Sequence, residues 1–161
     1  MEWRLDALAE EEAGLASIRQ LLEETPATAI ATIRAESEGG TWAGEETDRI
    51  SLLEAIGTGA HPPRYIDLEL GAWNSSANLR HKVMLAIDHD NQVRDVDTKL
   101  ILSSHEFSGR PNDLLHRVAQ MIECDQCAIA KVVWRARSLR DNLEAFDLLA
   151  SRAKPMIALC M

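Results

Sequence analysis

The apolar residues of this chain change period repeatedly, and that alternation restricts the fold more than any other feature. Short runs rich in Ile, Val, Leu and Ala have the length and composition of strands covered on one or both faces: Ala27 to Arg34, Arg64 to Leu70, Lys99 to His105, Ala128 to Trp134 and Pro155 to Met161. Between them lie stretches with apolar residues three and four apart, which predict amphipathic helices: Leu8 to Glu24, Glu46 to Ile56, Ser76 to Asp90, Asn112 to Ile122 and Leu139 to Ala153. Glu2 to Leu5 reads as the stub of a further strand. Strand-then-helix units in this succession are built around a parallel sheet, so the fold class is α/β. Pro26, Pro62, Pro63, Pro111 and Pro155 fall at the predicted boundaries, where a fixed φ and a missing N–H do no harm. With 161 residues and no linker or low-complexity tract, the chain is read as one domain over 1–161.

A net charge of -9 repels phosphate backbones and anionic lipid, so nucleic acid and membrane surfaces are excluded as broad partners. No basic segment followed by an apolar run opens the chain, and no run approaches a membrane span, so a cytoplasmic protein is expected. The three cysteines are an odd number, expected to be reduced. Cys124 and Cys127 form a lone C-x-x-C without the second pair or histidines that zinc requires, and read as small residues in a helix-to-strand connection. No metal site is predicted. There is no glycine-rich phosphate motif either, so nucleotide binding is unsupported and no cofactor is predicted.

In parallel α/β folds, working side chains gather at the C-terminal ends of strands. The polar residues there are Glu2 and Arg4, Arg34 with Glu38, Asp67 and Glu69, Ser104 and His105, Lys131, then Cys160 and Met161. Lys131 interrupts the apolar run Ala128-Ile129-Ala130-Lys131-Val132-Val133, where an ammonium is costly and a neutral amine could attack a carbonyl. Taken alone, the run equally suits a lysine turned outward on an edge strand. His105 ends a strand and could exchange protons near neutral pH, though a lone loop histidine is more often only hydrogen-bonded. Glu38-Gly39-Gly40 joins a carboxylate to a flexible backbone just beyond Arg34.

Taken in order, Glu2-Trp3-Arg4-x-Asp6, Thr32-x-Arg34 with Glu38-Gly39-Gly40, Asp67-Leu68-Glu69, Ser104-His105-Glu106-Phe107, Ala130-Lys131 and Pro155-Met156-Ile157-Ala158 resemble the type I 3-dehydroquinate dehydratase family. His105-Glu106 stands where that family more usually has His-Asp. The resemblance implies a (β/α)8 TIM barrel of the class I aldolase type. It is expected to be incomplete here, with the first and last βα units missing, since only Met1 precedes Glu2 and the chain stops at Met161. It also implies a lyase of the shikimate pathway that dehydrates 3-dehydroquinate to 3-dehydroshikimate through a lysine Schiff base, in a homodimer. Lys131 would form the imine, His105 would move the proton and Glu38 would orient His105. Glu2, Arg4 and Arg34 would hold substrate, with Phe107 and Met161 shaping the apolar wall. Two other readings stand beside it: a catalytically inactive or partner-dependent barrel fragment, and another class I aldolase-like Schiff-base enzyme.

Overall fold

The computed structural model describes residues 1–87 and 96–161. The stub at Glu2 and the five apolar runs become strands: β1 (Glu2–Arg4), β2 (Ile30–Thr32), β3 (Tyr65–Glu69), β4 (Lys99–Glu106), β5 (Cys127–Trp134) and β6 (Met156–Cys160). All six are parallel and hydrogen-bond in chain order. Strands that pair strictly in sequence, with no reversal of order, are those of a barrel and not of a doubly wound sheet. The described residues therefore form a six-stranded part of a barrel. Among them nothing pairs with the outer edge of β1 or of β6.

Helices cover the outside: α1 (Asp6–Ala9), α2 (Gly14–Glu24), α3 (Glu46–Gly57), α4 (Leu70–Ser75), α5 (Ala77–Ile87), α6 (Leu114–Glu123) and α7 (Leu139–Ala150). The apolar core lies between these helices and the sheet. Ile18, Ile50, Leu53 and Met121 from the helices meet Ala31, Ile66, Leu68, Leu100, Leu102, Ala130, Val132 and Trp134 from the strands, all essentially inaccessible. Side chains alternate across a strand. Once the even-numbered residues of β3 to β5 face the helices, Asp67, Glu69, Ile101, Ser103, His105, Lys131 and Val133 must face inward. The register sets Glu69, Ser103, Lys131 and Ile157 side by side across four strands.

Several boundaries differ from the sequence reading. The helix expected over Leu8 to Glu24 is two helices, because the chain turns back at Gly14, where a Cβ would lie 2.3 Å from the Leu8 carbonyl oxygen. The strand expected over Ala27 to Arg34 is confined to Ile30–Thr32, matching the three residues that β1 offers it. Leu70–Ser75 is helical without any loop after β3, whereas the helix there was expected to begin at Ser76. The end of that expected helix, residues 88–90, lies outside the described residues. Helix α6 starts two residues later than the apolar spacing suggests, after a turn at Asn112 and Asp113, and α7 stops at Ala150, short of Ala153.

Candidate active site

Inward-facing charges need partners, and the interior of the arc supplies them. The Lys131 ammonium stands 2.8 Å from Asp67 Oδ2 and 2.9 and 3.1 Å from the two carboxylate oxygens of Glu2. The lysine is thus turned inward and neutralised by ion pairs; it is neither bare in an apolar wall nor on the outside of an edge strand. Asp67 Oδ1 in turn accepts from Arg34 Nη2 at 2.7 Å and from the Ser103 hydroxyl at 2.6 Å. Arg34 Nη1 donates to Ser103 Oγ at 2.8 Å and lies 2.9 Å from Glu69 Oε1. Glu69 Oε2 meets Arg49 of α3 at 2.7 Å, and Arg49 closes on Glu46 at 2.6 Å. Charges therefore alternate without a gap from the cavity to the helix layer.

Burial by itself pushes the Asp67 carboxyl up, but Arg34 and Lys131 outweigh it and keep its pKa below the ordinary carboxylate range. The guanidinium groups of Arg34 and Arg49 are raised, again against the effect of burial, by Asp67 and Glu69 for the first and by Glu46 and Glu69 for the second.

A second set of contacts surrounds the histidine. Glu38 Oε2 accepts the His105 backbone N–H at 2.9 Å and lies 3.0 Å from ring Nδ1. An ionised carboxylate can only accept, so the ring proton belongs on Nδ1 and Nε2 is left as the basic nitrogen. Glu38 ends a 3₁₀ turn over Glu36–Glu38, and the loop then reverses through Gly39 at φ 80°. Its backbone is pressed so closely on the end of β2 that a Cβ on Gly40 would lie 1.8 Å from the Arg34 carbonyl oxygen.

The residues given a role by the family resemblance line one cavity of about 460 Å³: Glu2, Arg4, Arg34, Glu38, His105, Phe107, Lys131 and Met161. Val133 and Leu159 complete its apolar side and were not anticipated. Ser104, read as a strand-end candidate, faces the helices and accepts from Arg117, while Ser103 takes the inward place that two-residue alternation from His105 requires. The same alternation could have revealed it. Cys124 and Cys127 are free thiols at the end of α6 and the start of β5, and Cys160 is also free. Among the described residues, no three His, Cys, Asp or Glu side chains gather as a ligand set for a metal ion. No helix among them is long and apolar enough to cross a membrane.

The whole chain, residues 1–161, matches the family model described as Type I 3-dehydroquinase. This chain belongs to the type I 3-dehydroquinase family. Similar family members include the 3-dehydroquinate dehydratases of Methanosarcina acetivorans, 33% identical over 147 residues, and Desulfotalea psychrophila, 34% identical over 151. Each alignment takes in 89% of this chain, but only 57% and 61% of those two proteins. The chain thus spans about three fifths of the length of these curated relatives. Among solved structures, the type I 3-dehydroquinate dehydratase of Clostridium difficile, crystallised with covalently modified comenic acid, superposes with a TM-score of 0.73 over 99% of this chain and 63% of its own, at 20% identity. The enzyme from Geobacillus kaustophilus does so with a TM-score of 0.69 at 26% identity, over 99% of this chain and 61% of its own. The arc of six strands is therefore the type I 3-dehydroquinase barrel in part.

Proposed function

We propose that this site dehydrates 3-dehydroquinate to 3-dehydroshikimate through an imine on Lys131. One observation carries the reading: an amine held by two carboxylates and a carboxylate-oriented imidazole open onto the same cavity. The ammonium gives a proton to a neighbouring carboxylate such as Glu2, and the freed amine adds to the C3 ketone. Loss of water from that adduct leaves an iminium, which withdraws electrons and makes the C2–H bond acidic. Nε2 of His105 takes the C2 proton, with the imidazolium stabilised by Glu38. The imidazolium then returns the proton to the C1 hydroxyl, which departs as water as the C1–C2 double bond forms. Hydrolysis of the iminium frees the product and restores Lys131. Arg4 and Arg34 hold substrate oxygens, and Phe107, Val133, Leu159 and Met161 form an apolar wall on one side. On the family resemblance, we place this chemistry in the shikimate pathway of a cytoplasmic homodimer.

A second reading, a partner-dependent subunit without turnover of its own, is favoured by the exposure of that apolar wall: Phe107, Leu159 and Met161 are 46%, 52% and 53% accessible. Reduction with borohydride in the presence of 3-dehydroquinate, followed by intact-mass measurement, separates the two. A covalent adduct that disappears in Lys131→Ala is expected. A folded chain that traps none would overturn the imine reading for this chain and favour the partner-dependent one.

A further inference from the structure

We propose that Asp6 is a positioning residue that clamps the Glu38 loop and Arg4 in the arrangement His105 requires, a role that rests on the dehydratase reading above. Asp6 opens α1, two residues after the end of β1, and is 4% exposed. Its carboxylate takes Arg4 in a two-pronged grip, Nε to Oδ1 at 3.0 Å and Nη2 to Oδ2 at 2.9 Å. Oδ2 also accepts the backbone N–H of Thr41 at 3.0 Å and the Thr41 hydroxyl at 3.2 Å, while Oδ1 lies 3.4 Å from the Arg34 backbone nitrogen. Arg4, so held, donates across to the Gly39 carbonyl at 3.3 Å.

Gly39 and Thr41 lie just C-terminal to Glu38, in the segment that bears it. That segment is pinned at its base, where Glu36 donates to Trp42, Trp42 to Arg34 and Gly40 to Ala35. Within it, a Cβ on Gly39 would collide with the Phe107 ring at 2.3 Å, so the loop has no slack on the Phe107 side. Release of the Asp6 side would let Glu38 drift from His105, whose ring and backbone N–H both depend on one oxygen of that carboxylate. Lys131 is held separately, by Glu2 and Asp67. The clamp therefore acts on the proton-transferring half of the site and leaves the imine-forming half in place. Burial opposes ionisation of Asp6, yet Arg4 and the Thr41 N–H hold its pKa down to about 2, so the clamp is charged throughout the neutral range.

The first test needs no substrate. In the ligand-free chain, the His105 Nδ1–H resonance, sheltered by Glu38, is expected in the NMR spectrum of the parent. It should be lost to exchange in Glu38→Gln and in Asp6→Asn alike. The variant Thr41→Val, which keeps the backbone donor and removes only the hydroxyl, should broaden it without abolishing it. Persistence of the signal in a folded Asp6→Asn overturns the proposal, whatever the chain does with a ligand. If Asp6→Asn fails to fold, an unchanged signal in Thr41→Val overturns it instead.

With 3-dehydroquinate at a saturating concentration, where a loosened Arg4 no longer limits binding, Asp6→Asn is expected to trap the same borohydride adduct as the parent. Release of C2 deuterium from labelled substrate should fall at least about tenfold, part of the roughly 10²- to 10⁴-fold that a positioned acid–base group contributes. Parallel loss of adduct and release from folded protein would reveal a general structural role and sink the separation claimed here. Absence of adduct in the parent would count against the imine reading alone, since the histidine signal is judged apart from it.

Discussion

One buried carboxylate, Asp67, serves two cations, one on each of its oxygens. Its removal in Asp67→Ala leaves Arg34 with Glu69 as its remaining carboxylate partner and Lys131 with Glu2 as its own. Breaking a buried pair in this way costs about 3–5 kcal/mol. Urea unfolding should show a loss of that order, whereas truncation of the exposed Glu23 should leave the midpoint within error. Acid sensitivity can be placed at the same scale. The Asp6 carboxyl ionises about 2 in the folded chain against 3.8 for a free group, so it binds a proton more readily when unfolded. Its contribution, on the order of 1–2 kcal/mol, is complete above pH 4 and is lost as pH falls from there toward 2. In Asp6→Asn, the slope of stability against pH over that window should flatten. Lys131 was legible in the sequence because an ammonium in an apolar run is conspicuous by itself. Alternation alone turns Asp67 and Ser103 inward, but their pairing with each other and with Lys131, 64 residues away from Asp67, and that of Asp6 with Thr41 are recorded by no local pattern.

Among elements, the loop between β2 and α3 is the least tolerant of change. Gly40→Ala should push the loop off the end of β2, since its Cβ would meet a backbone oxygen that cannot move aside. The expected result is a fall in proton release from C2 while the Lys131 adduct still forms, with a loss of at most a few degrees in Tm. If adduct formation fails and the loop's amide shifts stay put, the loop is not what connects Glu38 to the chemistry. Strands β2 to β6 could be read from the sequence because each falls in a short apolar run closed off by proline or charge. Helix α4 could not, as Leu70 continues the apolar run of β3 and nothing between Glu69 and Leu70 marks the switch. The break before α2 was hidden for the opposite reason: Leu8 and Leu15 keep helical spacing across a turn that only the crowding at Gly14 reveals.

The whole molecule shows large side chains to solvent on one flank. Leu139, Leu143 and Phe146 recur along α7 at 78%, 57% and 65% exposure, near the open edge at β6. The folded chain should therefore enhance the fluorescence of an apolar dye such as ANS, and Leu143→Lys with Phe146→Lys should reduce that signal without altering the far-ultraviolet circular dichroism. An equal signal from the double variant would locate the dye elsewhere, with the cavity wall as the next candidate. The row of alternating charges in the interior bears on how quickly the cavity fills. It holds Lys131, Arg34 and Arg49 against Glu2, Asp67, Glu69 and Glu46, three cations to four anions, inside a chain of net charge -9. A carboxylate-bearing visitor thus meets no attracting funnel on its approach and must trade places with a resident anion once inside. Encounter by diffusion is then hindered where many enzymes of anions assist it, and added salt, which usually slows such capture, should here quicken it.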